Sequence, residues 1–285
     1  MKLALGSAQF GMAYGINNSR GQVPLDEVRD ILRLFCERGG NVLDTAYAYG
    51  NSELVLGDAL DAEKIDFKVI SKFPKQDVQR VDEFFHETLA RLKRKSIYGY
   101  ILHDFNTFVD APEVWDRLRE LKNKNLVQKI GFSLYHPDQA ELLLNQGVDF
   151  DLVQIPYNIF DQRFDSVLAR LKSARVEVHA RSAFLQGLFF REPPSLSPFF
   201  DDLKDKLTAV GMFSETTGIP LYALLLGFAV LNPNIDYVVI GVDSIKNLRL
   251  NLAVETYLDE LSPYLEQLKQ FKEQREEFIL PYLWK

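Results

Sequence analysis

Asp44 and Tyr49 sit in the stretch Leu43-Asp44-Thr45-Ala46-Tyr47-Ala48-Tyr49-Gly50-Asn51-Ser52-Glu53, a carboxylate and a phenol just where an apolar run ends. A phenol has an ordinary pKa of about 10, so it works as a proton donor near neutrality only when its neighbours stabilise the phenolate. Two other apolar runs close on groups that could provide such stabilisation, since 67–72 ends on Lys72 and 98–103 ends on His103. A Lys72 ammonium would lower the pKa of Tyr49, Asp44 would keep Lys72 charged and in place, and His103 could orient a carbonyl oxygen beside the phenol. Each residue also has a plain structural role: a cap for Asp44, a rim aromatic for Tyr49, an exposed charge for Lys72, a core imidazole for His103. Capping alone does not explain why all four stand at strand ends and together compose one acid system.

Convergence of residues so far apart requires a particular frame. β-branched or aromatic runs alternate with longer stretches of helical period, the pattern of βα units around a parallel sheet. Strands are expected over 2–8, 41–46, 67–73, 98–105, 129–135, 152–158, 177–183 and 237–242. Eight such units close a (β/α)8 TIM barrel, an α/β fold whose active sites lie at the C-terminal ends of the strands. A single domain over 1–285 follows, since no linker or low-complexity tract interrupts the rhythm.

Between the strands, Val28, Ile31, Leu32 and Phe35 fall on one helical face, and Gly39-Gly40 ends that helix. Helices are also expected over 82–92, 114–126 and 139–144. Cys36, the only cysteine, reads as a small buried hydrophobe on the apolar side of the first helix and rules out an internal disulfide. The segment 185–202, with three prolines among four phenylalanines, departs from the pattern and reads either as a lid over the site or as a packed excursion.

A net charge of -7 argues against nucleic acid or an anionic membrane as partner. No signal-peptide pattern opens the chain and no uncharged run is long enough to span a bilayer, so a cytoplasmic protein is expected. No metal site is expected, and the sequence carries no signal of oligomeric state.

The motif Asp44-Thr45-Ala46-x-x-Tyr49-Gly50-x-Ser52-Glu53 with Gly57, joined by Lys72, His103, Gly6-Ser7-Ala8 and Gly131-Phe132-Ser133, resembles the signature of the aldo-keto reductases. The resemblance implies a barrel that binds a nicotinamide dinucleotide and reduces an aldehyde or ketone, with Tyr49, the tyrosine directly before glycine, as general acid. Tyr47 would then line the substrate pocket together with His103, and the partner is a small-molecule carbonyl compound. A sugar or related polyhydroxylated metabolite is expected from a likeness of Gly6 to Gly11 and of Gly241 to Ser244 to members linked with carbohydrate metabolism.

The resemblance also implies a coenzyme site. Gly6, Ser7, Ala8 and Asp44 would border it, Ser133 and Gln154 would hold the carboxamide, and Arg181 would stack or pair with phosphate. Ser182, Leu185 and Gly187 would follow the pyrophosphate, and Gly241, Val242, Asp243, Asn247 and Asn251 the adenosine. This sequence departs from the family pattern in three places. Leu134 stands where an asparagine is usual, Arg181 where many members carry tyrosine, and Ser244 and Asn247 where basic residues usually grip a 2'-phosphate, with Asp243 adding a negative charge nearby and Lys246 or Arg249 able to compensate from an adjacent helix face. NADPH is expected first, with NADH as the alternative. Two other functions share these residues: a nucleotide-binding regulatory subunit, and a barrel using the same groups for elimination or isomerisation.

Overall fold

Short apolar runs rich in Val, Ile, Leu and Tyr form eight strands: β1 Leu3–Gly6, β2 Val42–Asp44, β3 Lys68–Phe73, β4 Ile97–Leu102, β5 Val127–Ser133, β6 Leu152–Pro156, β7 Glu177–Arg181 and β8 Tyr237–Gly241. In the computed structural model, which describes residues 1–284, they close into one barrel in chain order. Every neighbouring pair is parallel, including the closing pair β8 and β1, where Gly6 stands opposite Gly241. The expected eight-stranded barrel is therefore what forms. The strands are shorter than their apolar windows because the chain turns into the rim loops early: Thr45 and Ala46 already lie beyond β2.

Ala4, Val42, Ile70, Ile101 and Leu152 form a separate apolar cluster with Tyr98, each supplied by a strand. A larger cluster joins strands to helices. Helix α1, Leu25–Glu37, buries Val28, Ile31, Leu32 and Phe35 as its period predicts. Cys36 does not join them: it is exposed, because the end of α1 projects past the packed face and residues 36–39 all face solvent. The next helices are α2 Ser52–Glu63, α3 Val81–Arg91, α4 Val114–Asn123 and α5 Pro137–Asn145. They are followed by α6 Asp165–Ser173, α7 Lys204–Thr217, α8 Leu221–Val230 and α9 Ile245–Leu252.

The segment 185–202 is built from short 3-10 turns at Leu185–Phe190, Pro193–Ser195 and Pro198–Leu203. Its rings mostly point inward: Phe189 packs on Phe160, and Phe200 on Phe278 and Trp284. Among the described residues no single helix is long and apolar enough to cross a membrane.

Candidate active site

Asp44 is the last residue of β2, Lys72 the last but one of β3, and His103 the first after β4. Their shared position at the C-terminal rim, with Tyr49 in the loop after β2, brings all four side chains together. A cavity of about 780 Å³ opens there, and Asp44, Tyr49 and His103 line it. Lys72 lies beneath, fully buried.

The Lys72 ammonium donates to both Asp44 carboxylate oxygens at 2.9 and 2.8 Å, to the Thr45 carbonyl at 2.8 Å and to the Tyr49 hydroxyl at 3.4 Å. Burial pulls its pKa down while Asp44 opposes the shift. Asp44 accepts a further hydrogen bond from Gln154 Nε2 at 2.7 Å. The Tyr49 phenol is held above its ordinary pKa, first by burial and then by the Asp44 carboxylate, with Arg181 opposing. The lowering by Lys72 expected from the sequence is thus not the net result. Desolvation prevails, and the Asp44 carboxylate that pairs with Lys72 adds to it.

His103 meets the Tyr49 ring edge-on, with centroids 5.7 Å apart and an interplanar angle of 85°. Burial, then the charges of Lys72 and Arg181, lower its pKa to about 3, so the imidazole is neutral at physiological pH and carries one N–H.

Close backbone contact fixes the Tyr49 loop. A side chain on Gly11 would collide with the Tyr49 carbonyl oxygen and the Ser52 amide, and Gly50, at φ 58°, lies against the Gly11 carbonyl. Beneath the loop, Ser7 Oγ donates to the Asp44 carbonyl at 2.9 Å, and Ser52 Oγ lies 2.7 Å from Ser7 Oγ and 3.1 Å from Thr45 Oγ1. These buried hydroxyls join β1, the loop after β2 and α2, and so set the height of Asp44.

Tyr47 does not face the cavity. Its hydroxyl donates to Glu87 at 2.7 Å and accepts from Arg91 at 2.8 Å, and its ring packs edge-on against Phe84. Two tyrosines spaced by two residues diverge here because the chain between them is a turn, and Tyr47 belongs to the α3 side.

Of the expected coenzyme residues, Gly6, Ser7, Ala8, Asp44, Ser133, Gln154, Arg181, Ser182, Gly187, Gly241, Asp243, Asn247 and Asn251 line this one cavity. Leu185 and Val242 do not: both are buried in the core, Leu185 turned inward by a tight turn at φ 45°. Leu134, in place of the usual asparagine, is likewise buried and offers no amide. Sequence reasoning missed Tyr14, Gln186 and Tyr222, which also line the cavity. Gln186 Nε2 donates to the Tyr14 hydroxyl at 3.0 Å, and the Ile16 amide donates to the Gln186 carbonyl at 3.1 Å, so the loop after β1 folds onto the loop after β7. Residues 12–24 have no strand or helix period, and only Tyr14-Gly15 hints at a structured turn. Trp115 and Phe105 are core residues and do not line the cavity; Trp115 stacks on Phe132 with ring centroids 4.4 Å apart. Tyr135 and Phe190 do line the cavity.

A model of the aldo/keto reductase family matches residues 2–270. The chain is 27% identical over 289 residues to an L-galactose dehydrogenase from Arabidopsis thaliana, covering 94% of this chain and 90% of that one. It is 25% identical to a D-arabinose 1-dehydrogenase from Saccharomyces cerevisiae, covering 88% and 81% respectively. A solved structure of an aldo-keto reductase from Bacillus halodurans, in its holo form, superposes with a TM-score of 0.78 at 21% identity, covering 96% of this chain and 94% of that one.

Proposed function

The chain belongs to the aldo/keto reductase family of oxidoreductases, and from that premise we propose that it is a nicotinamide-dependent reductase of an aldehyde or ketone with Tyr49 as its general acid. One observation carries the proposal: on the wall of the cavity the Tyr49 hydroxyl is 3.4 Å from a fully buried Lys72 ammonium, and the Tyr49 ring meets a neutral His103 edge-on.

The cavity fits a dinucleotide. Gln154 has committed one amide N–H to Asp44, which leaves its carbonyl oxygen and a second N–H for a carboxamide, and Ser133 stands beside it. At the other end Gln9 Oε1 is buried without a partner, and a side chain at Gly241 would crowd that amide. Asn247 and Asn251 line the end beyond Gly241.

A reduced nicotinamide held in this cavity would supply the hydride for the carbonyl carbon. The residues of the chain manage the oxygen. His103, being neutral, donates its N–H and fixes the direction of the carbonyl; Tyr49 Oη releases its proton as negative charge builds on that oxygen. A phenol held above its ordinary pKa stays fully protonated until that moment. Lys72 then faces the phenolate left behind, and Asp44 holds the ammonium at the correct distance for this stabilisation.

We assign NADH as the preferred coenzyme, in place of the NADPH that the resemblance puts first. Asp243 lines the adenosine end, where its carboxylate accepts from Asn247 Nδ2 at 2.6 Å and from Ser244 Oγ at 3.0 Å. Lys246 and Arg249 are not among the lining residues, and Arg20, which donates to the Asp243 carbonyl at 2.7 Å, is already paired with Glu27 at 2.7 Å. A 2'-phosphate would therefore meet a carboxylate whose neighbouring cation, Arg20, is already paired with Glu27, at a cost of about 1 kcal/mol, whereas a ribose hydroxyl can donate to the same group. The names of the two sugar dehydrogenase relatives support a sugar or related polyhydroxylated metabolite as substrate.

Fluorescence titration with both coenzymes and the absorbance of the reduced coenzyme against a panel of carbonyl compounds test these assignments. NADH binds about tenfold more tightly than NADPH, and Tyr49→Phe lowers kcat by about 10²- to 10⁴-fold with coenzyme Kd unchanged. Full activity in Tyr49→Phe removes Tyr49 from the acid role, and tighter NADPH binding reverses the coenzyme assignment.

A further inference from the structure

Arg181 ends β7, yet its side chain reaches back across the rim to β5. The guanidinium lies 4.2 Å from the centre of the Tyr135 ring, and its two hydrogen bonds, to the Leu134 carbonyl at 3.3 Å and to Ser182 Oγ at 3.4 Å, are both long. It forms no ion pair with any acid among the described residues. A guanidinium has five N–H donors in a planar fork, so most of this one is unspent, and no Arg181 nitrogen is buried without a partner. It lines the cavity. Stacking on Tyr135 holds the plane of the fork while leaving its donor edges free.

The charge balance of the cavity makes this cation distinctive. Asp44 is neutralised by Lys72, His103 carries no proton at neutral pH, and Asp243 lies at the adenosine end. That leaves Arg181 as the one uncompensated cation among the lining residues. It also stands near the reacting groups, since its charge bears on Tyr49, Lys72 and His103 together. Tyr14 and Tyr135, both lining, add phenol hydroxyls on this side.

We propose that Arg181 is an anion-binding subsite for the substrate, so that the carbonyl compound also carries a carboxylate or phosphate group. This rests on the reductase reading of the site. A planar fork with free edges accepts either anion through two parallel hydrogen bonds, and such charge-assisted pairs in a partly dry cavity discriminate against neutral analogues by about 10- to 100-fold.

The test uses a matched pair, 4-carboxybenzaldehyde and the methyl ester of the same compound, with the NADH-loaded protein. Calorimetry reads their binding and coenzyme absorbance reads their turnover, in the native chain and in Arg181→Gln and Arg181→Lys. The native protein binds the carboxylate at least about tenfold more tightly than the ester and favours it similarly in kcat/KM. Arg181→Gln brings both ratios to near one, and Arg181→Lys, which keeps the charge and loses the fork, falls between. Binding selectivity without turnover of either aldehyde overturns the reductase reading and upholds the subsite. Equal binding of acid and ester by the native protein overturns the subsite. So does an Arg181→Gln variant that keeps its selectivity but binds NADH at least tenfold more weakly, because the guanidinium then serves the coenzyme pyrophosphate.

Discussion

His103 shows how burial decides the chemistry of a residue. Its pKa of about 3 follows from desolvation first and from the nearby cations second, which keeps the imidazole neutral and suits it to the donor role in the proposed mechanism. The same shift links pH to stability. The unfolded chain protonates this imidazole near pH 6.5 and the folded chain only near 3, so between those values the unfolded state binds more protons and stability falls as pH falls. Above about pH 6.5 the effect vanishes. The imidazole resonances of His103 should therefore stay in their neutral positions down to about pH 4 in an NMR titration, and kcat should show no ionisation step near 6.5. A step there that disappears in His103→Gln would mean that the imidazole titrates in the working enzyme.

At the scale of elements, the loop that carries Tyr49 is held by two glycines that fit against each other, Gly11 from the short helical turn Ala8–Gly11 and Gly50 with its positive φ. Gly11→Ala should push the backbone at Tyr49 and Ser52 outward. We expect kcat to fall by about 10- to 100-fold, since misplacing a reacting group by about 1 Å costs that order, with a stability loss of about 1–3 kcal/mol from overpacking. Steady-state kinetics and urea unfolding read the two effects separately, and a Gly11→Ala variant with native kcat would show that the loop takes up the methyl group elsewhere.

The strand ends of this region were legible in the sequence because apolar runs stop where the rim begins, which located Asp44, Lys72 and His103 within a residue or two. The helical stripe of Val28, Ile31, Leu32 and Phe35 was equally plain. Loop directions were not legible. Tyr47 and Tyr49 are two residues apart in a turn, where no period assigns sides, and Leu185 turns inward on a positive φ that an ordinary leucine does not advertise. The fold of residues 12–24 over the loop after β7 depends on contacts between Tyr14, Ile16 and Gln186, which lie about 170 residues apart in sequence.

For the whole molecule, the barrel divides its labour between two ends. Opposite the cavity, Glu177 at the start of β7 accepts from Tyr98 of β4 at 2.8 Å and from Lys129 of β5, and pairs with the buried His179 at 2.7 Å. Burial alone would raise the pKa of Glu177, but the hydrogen bonds from His179, Lys129 and Tyr98 outweigh it and hold the carboxyl at about 2. With a folded value below the unfolded one, this carboxylate adds stability that is complete above about pH 4.5 and is lost as pH falls through about 2. Glu177→Gln should accordingly lower the urea unfolding free energy by about 1–2 kcal/mol at pH 7 once solvent screening is allowed for, and the difference from the native chain should shrink steadily as pH falls below about 4.5. Because stability and chemistry are assigned to opposite faces of such a barrel, the variant should keep native kcat, KM and coenzyme affinity. A variant that unfolds normally but loses activity would place Glu177 in communication with the cavity and overturn this division.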